Sequence, residues 1–123
     1  MKMTELFLAE LDREVERSRR ALEQVPEGKY DWKPHEKSMI KALDTSASEF
    51  RTALEKTTDE HLMTPWKLLA HGQVVMEAPR HVMIRDTINH WAHHRGQMTV
   101  YLRLMGAKVP AIYGPSADDN SFK

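Results

Sequence analysis

Apolar residues recur at intervals of three and four over three long segments of the chain, which is the repeat of amphipathic α-helices. The repeat predicts helices over residues 4–25, 40–56 and 80–105. Thr4 is the predicted N-cap of the first helix, and Gly106 follows the last. The apolar stripe of the first helix is Phe7, Leu11, Val15, Ser18, Leu22 and Val25, and that of the second is Leu43, Ala47, Phe50 and Leu54.

The segments between these helices predict shorter elements. Residues 30–39 are expected to form a loop, because Pro34 disfavours a helical conformation in the residue before it. A short turn is predicted at residues 59–62. Over residues 63–76, two apolar runs flank His71-Gly72, which is typical of a β-hairpin. We therefore predict one domain over residues 1–123 that is all-α apart from a short hairpin before the last helix.

The composition excludes several classes of partner. Lys plus Arg and Asp plus Glu each number 18, so a net charge of zero argues against a nucleic-acid-binding face and against a polybasic membrane patch. No apolar run approaches the roughly 18 residues of a membrane span. The N-terminus starts an amphipathic pattern rather than a secretory signal, and the chain has no cysteine. We expect a cytoplasmic protein without a thiol nucleophile of its own.

His90 and His94 are the strongest chemical signal in the chain. Side chains four residues apart lie together on a helix, and two imidazoles placed in this way can bind one metal ion. On a helical wheel centred on His90, His94 falls among apolar residues, so we expect both rings to point into the protein. Buried imidazoles need partners, and a metal would satisfy both. The alternative is a pair that is hydrogen-bonded in a dry core.

The neighbours of this pair suggest supporting roles. Asp86 and His93 are expected to contact the ligands from outside, whereas Gln97 and Tyr101 lie on the same face and are expected to meet a substrate. Arg95 is expected near the boundary of the helix, in an ion pair at the surface.

Three segments, residues 31–39 (DWKPHEKSM), 89–97 (NHWAHHRGQ) and 109–118 (VPAIYGPSAD), together resemble the DinB-like family. The resemblance implies a four-helix bundle of up-down-down-up type, usually a homodimer, with a divalent metal ion held by three histidines. Two of the three correspond to His90 and His94. The metal is left open among zinc, nickel, iron and manganese. Related members are thiol-dependent transferases and isomerases that act on small electrophiles, and the resemblance implies such a role in stress response.

One departure from the family concerns the third histidine, which lies on a helix directly after the Pro-His-x-Lys-Ser-Met motif. Here Met39 runs straight into residues 40–44, which resemble the following helix of the family. Either the chain lacks this helix, or a stretch is missing between Ser38 and Lys41. We favour the second explanation, because removing a helix exposes an apolar groove. None of His35, His61 and His71 occupies the position of the third ligand.

These observations leave three hypotheses. The first is a metal-dependent enzyme with a low-molecular-weight thiol as co-substrate. The second is a non-catalytic metal-binding or dimerisation bundle, in which a metal would have no adjoining cavity. The third is a purely structural histidine pair.

Overall fold

The protein is described here from a computed structural model, which covers residues 1–26 and 36–121, with side chains from residue 39 onward in the second segment. These residues form four helices and a two-stranded antiparallel sheet, so the fold is mainly helical but not purely all-α. The elements in chain order are α1 (Met3–Leu22), α2 (Glu36–Lys56), α3 (Asp59–Met63), β1 (Pro65–Ala70), β2 (Gln73–Pro79) and α4 (Arg80–Leu104).

Most element predictions are confirmed to within a few residues, but α2 starts earlier than the sequence indicated. It begins at Glu36, so the loop prediction is wrong for residues 36–39, and residues 30–35 lie outside the described part of the chain. Pro34 restricts the residue before it and does not prevent a helix from starting after it. The helix runs unbroken through Ser38–Lys41, so the expected gap there is wrong and the chain joins these elements directly.

The N-terminus of α1 is capped from another element. The N-cap is Lys2 rather than the predicted Thr4. The carboxylate of Asp59, at the start of α3, accepts hydrogen bonds from the backbone N–H groups of Met3 (2.9 Å) and Thr4 (3.2 Å). These bonds, that of Met3 foremost, lower the pKa of Asp59. A negative charge at a helix N-terminus satisfies free donors and complements the helix dipole, so this contact fastens α3 to α1.

The hairpin is formed as predicted, with Pro65 opposite Pro79 and an irregularity in register between Leu68 and Leu69. Its turn residues His71 and Gly72 both have positive φ, 50° and 77°, as the central residues of type I′ turns do. Most side chains of the hairpin are exposed, including several large apolar ones: Leu68, Leu69, Val74, Val75 and Met76.

The hydrophobic core is built around α1, which packs against both α2 and α4. Its fully or nearly buried members are Phe7, Leu11, Leu54, Leu62 and Ile88, so all four helices contribute to it. The predicted stripes of α1 and α2 contribute Phe7, Leu11, Val15, Phe50 and Leu54 to this core, and their remaining members except Ser18 are only partly buried. Within the described residues, no helix is both long and apolar enough to cross a membrane.

The segment after α4 is irregular, as predicted, but hydrogen bonds to α1 and within the segment fix it as far as residue 121. Gly106 follows the helix with a φ of 74°, and the chain then returns along α1. Arg20 donates a hydrogen bond to the carbonyl of Ala111 (2.7 Å), and the Asp119 carboxylate accepts one from the Ala111 N–H (2.9 Å). The hydrogen bond from Ala111 and those from Ser121 lower the pKa of Asp119 to about 2.

Candidate functional site

His90 and His94 lie on consecutive turns of α4 with their rings in contact. Their Nε2 atoms are 2.8 Å apart, and the ring centroids are 4.5 Å apart. The separation is slightly shorter than the roughly 3 to 3.5 Å expected when two imidazoles share an ion with bonds of about 2.0–2.1 Å. The structure therefore brings together one nitrogen from each of the two histidines that the sequence predicted to lie side by side.

Gln97 determines which nitrogen of His94 is available. The Nδ1 atom of His94 lies 2.8 Å from Oε1 of Gln97. An amide oxygen only accepts, so Nδ1 carries the proton and the lone pair of the neutral ring is on Nε2. That lone pair is directed at His90. A metal ion bound here would take the lone pairs of both Nε2 atoms.

The predicted burial of this pair is wrong, because both His90 and His94 are exposed. The buried positions of α4 are Ile88, Arg95 and Leu102, seven residues apart. At 100° per residue this stripe lies more than 100° around the helix from the histidine pair. The helical-wheel prediction failed because Arg95, a charged residue, occupies the centre of the packed face.

The other predicted site residues share the exposed face but do not form a cluster. The ring of His93 packs edge-on against that of His94, with centroids 5.3 Å apart. Asp86 lies 3.5 Å from the guanidinium of Arg85 and makes no hydrogen bond to a histidine among the described residues. Tyr101 is 64% exposed. Of the predicted supporting roles, only those of Gln97 and His93 involve contact with the pair.

The described site supplies two protein ligands to a metal ion, His90 and His94. Across residues 1–26 and 39–121, no three His, Cys, Asp or Glu side chains are grouped so that they can hold an ion. His35 lies outside these residues. The converging Nε2 atoms suit two adjacent coordination positions, and any others must be filled by groups that are not part of the described site.

Sequence reasoning missed a buried polar cluster directly behind the histidines. Arg95 forms an ion pair with Glu14 of α1, and its guanidinium also approaches the hydroxyls of Ser18 (3.3 Å) and Tyr113. The surface ion pair expected for Arg95 is therefore wrong. The signal was present in α1, where Glu14 falls three residues after Leu11 and four before Ser18. A carboxylate within a buried stripe requires a cationic partner.

The charge state of this cluster follows from its contacts. Burial raises the pKa of Glu14, but hydrogen bonds from Arg17 and Arg95 and the positive charge of Arg95 outweigh it, so the pKa lies below its usual value. Glu14 is therefore ionised at neutral pH. Because Arg95 is held inward by this charge, the adjacent His94 points about 100° away, out of the core.

A cavity of about 680 Å³ adjoins the histidine face. It lies between the second half of α2 and the first half of α4. On α4 it reaches Thr87, which precedes His90 by three residues, or about 4.5 Å along the helix. Its walls are mostly apolar and include Phe50, Leu54, Leu62, Trp66, Met83 and Ile84.

The described residues form a helical bundle with an outward-facing histidine pair on its last helix. The sequence model of the DinB family matches residues 34–121, and the chain belongs to that family. A stretch of 43 residues is 44% identical to the uncharacterized protein YrdA of Bacillus subtilis (strain 168). The alignment covers 35% of this chain and only 26% of YrdA. No solved structure matches the chain.

Proposed function

We propose that this protein is a divalent-metal-dependent enzyme that joins a low-molecular-weight thiol to a small electrophile. The observation that carries the proposal is the convergence of the Nε2 atoms of His90 and His94 at 2.8 Å. Imidazole ligands suit zinc, nickel and iron, so the pair does not select among them. A bound divalent ion would lower the pKa of a coordinating thiol and so supply a thiolate at neutral pH.

The residues of the chain support this chemistry in three ways. Gln97 holds the proton of His94 on Nδ1 and leaves Nε2 free to act as a ligand. The exposure of the pair gives a thiol direct access from solvent, which matters because the chain contains no cysteine of its own. The mostly apolar cavity that ends at Thr87, three residues before His90, is a candidate site for an apolar substrate.

The experiment that tests the proposal starts from protein purified without a metal-affinity column. Metal content is measured by mass spectrometry, and zinc, nickel, iron and manganese are titrated by calorimetry. We expect about one ion per chain and loss of binding in His90→Ala and His94→Ala. The matched control is His81→Ala, because His81 lies on the opposite side of the same helix. Failure to bind any of the four metals would contradict the proposal.

Catalysis is then tested with glutathione or cysteine and the electrophile monochlorobimane, whose fluorescence reports thioether formation. We expect turnover that requires the bound metal and both histidines. Stoichiometric metal binding without acceleration of the reaction with any thiol or electrophile tested would favour the second function below.

The second candidate is a non-catalytic metal-binding protein whose bundle forms a homodimer. It is favoured by the large apolar side chains that α4 exposes beyond the histidines: Val100, Tyr101 and Leu104 are 59%, 64% and 76% exposed. On the same helix, Gly96 faces open space within the chain, which leaves room for close approach of a second helix. Light scattering after size exclusion distinguishes a dimer from a monomer, and Leu104→Glu should dissociate a dimer formed through this face.

A further inference from the structure

We infer that the cavity between α2 and α4 binds molecules that carry an anionic group on an apolar, aromatic-sized body. That such a molecule is the electrophilic substrate rests on the proposed function. The cavity itself, its charge and its shape do not depend on the metal.

The charged side chains that line the cavity are both cationic. Lys56 and Arg80 contribute to the lining together with the imidazole of His61, and no Asp or Glu of the described residues does. This bias stands out in a chain whose acidic and basic residues balance at 18 each. A mostly apolar pocket with a few convergent cationic groups favours an anion attached to an apolar molecule.

Arg80 is the best-placed of these cations. It is the first residue of α4, and its Nε donates a hydrogen bond to the hydroxyl of Thr64 (3.1 Å). Within the part of the chain that the structure describes, Arg80 forms no ion pair with a carboxylate. The bond to Thr64 orients the guanidinium and leaves its terminal N–H groups for a bound anion, which they can hold in bidentate geometry.

The other residues that line the cavity determine the size and the apolar character of the ligand. The volume of about 680 Å³ falls within the range of roughly 300–1,000 Å³ that is usual for small-molecule sites. Trp66 and Phe50 supply aromatic surfaces, and Leu54 and Ile84 supply aliphatic ones. Arg80 and His90 are ten residues apart on α4, or about 15 Å along the axis. Because the lining on α4 ends at Thr87, an anion held at Arg80 leaves the body of the molecule along α4 between Arg80 and Thr87.

The inference is tested with two fluorescent probes of similar shape and different charge. The anionic probe is 8-anilinonaphthalene-1-sulfonate, and the neutral probe is N-phenyl-1-naphthylamine. We expect Arg80→Gln to weaken binding of the sulfonate about tenfold or more, the loss of a charge-assisted hydrogen bond. It should leave the affinity for the neutral probe unchanged. Arg85→Gln, an exposed arginine of α4 outside the cavity, serves as the matched control.

Three further variants locate the bound probe and control for misfolding. Ala53→Trp fills the cavity from an exposed position and should weaken binding of both probes, whereas Val75→Ser on the exposed hairpin should affect neither. Arg80→Lys keeps the charge and should retain most of the affinity for the sulfonate. Equal loss of both probes in Arg80→Gln, or insensitivity to Ala53→Trp, would overturn the inference.

The result of the probe-binding experiment can be distinguished from the result of the experiments that test the proposed function. Both probes should bind metal-free protein as tightly as metal-loaded protein. If no metal binds but the sulfonate still depends on Arg80, the anion site stands and the catalytic proposal fails. If the metal binds and catalysis is found, but Arg80→Gln weakens binding of the anionic probe no more than that of the neutral probe, the inference of an anion site is wrong and the proposed enzymatic function is unaffected.

Discussion

Arg95 of α4 and Glu14 of α1 form an ion pair in which both side chains are only 3% exposed. The pair crosses from one long helix to another, and Tyr113 of the C-terminal segment closes over it, its hydroxyl 3.2 Å from the Glu14 carboxylate. It therefore joins three parts of the chain and sets the rotation of α4, on which the outward direction of His94 depends.

Removing one partner of this pair should be strongly destabilising. Glu14→Ala leaves the Arg95 guanidinium buried without its counter-charge, and we expect a loss of about 3–5 kcal/mol in the free energy of unfolding. Urea denaturation followed by circular dichroism measures it. The control is Asp12→Ala, which breaks the exposed pair with Arg51 and should cost less than about 1 kcal/mol.

The double variant Glu14→Leu with Arg95→Met separates charge from packing. We expect it to be more stable than Glu14→Ala, since hydrophobic replacement of a buried pair removes both desolvation penalties. A double variant no more stable than Glu14→Ala would show that the contribution of the cluster is not electrostatic.

Gln97 should control metal affinity without being a ligand. Gln97→Leu removes the acceptor that holds the His94 proton on Nδ1, and we expect metal affinity to fall by about 10- to 100-fold. Gln97→Glu keeps an acceptor and should bind at least as tightly as the unaltered chain. Calorimetric titration measures both, and equal affinities in the Leu and Glu variants would rule out this role.

Two adjacent threonines between α2 and α3 should respond differently to the same substitution. The Thr57 hydroxyl oxygen is buried and has no hydrogen-bond partner among the described residues, so Thr57→Val should be neutral or stabilising. The Thr58 hydroxyl accepts a hydrogen bond from the His61 N–H and caps α3, so Thr58→Val should cost about 1 kcal/mol. Urea denaturation of the two variants makes the comparison, and similar losses would contradict it.

The C-terminal segment should loosen in acid through Asp119. Hydrogen bonds from Ala111 and Ser121 lower its pKa from 3.8 to about 2. A lowered pKa contributes stability that is present above the unfolded value and is lost as pH falls through the folded value. The advantage of the unaltered chain over Asp119→Asn in melting temperature should therefore shrink between about pH 4 and about pH 2. An advantage that stays constant over this interval would count against the prediction.

Local chemistry was readable from the sequence because it depends on residues close together in the chain. The bounds of α1 and α4, the hairpin with His71-Gly72 at its turn, and the contact between His90 and His94 all arise from backbone periodicity and side chains within one helical turn. The start of α2 at Glu36 was missed because the restriction imposed by Pro34 was extended to residues that it does not affect.

Which side of α4 faces the core was decided by tertiary structure alone. Within the helix, the stripe around His90 and the stripe of Ile88, Arg95 and Leu102 both carry apolar neighbours, but Arg95 places a charge at the centre of the latter stripe. The carboxylate of Glu14, 81 residues away, supplies the counter-charge that makes burial of Arg95 favourable. The sequence by itself determined the elements and the histidine pair, since both follow from local geometry. The packing of α1 against α4 decided that the pair faces solvent beside the cavity, since a buried charge is tolerated only where a distant partner meets it.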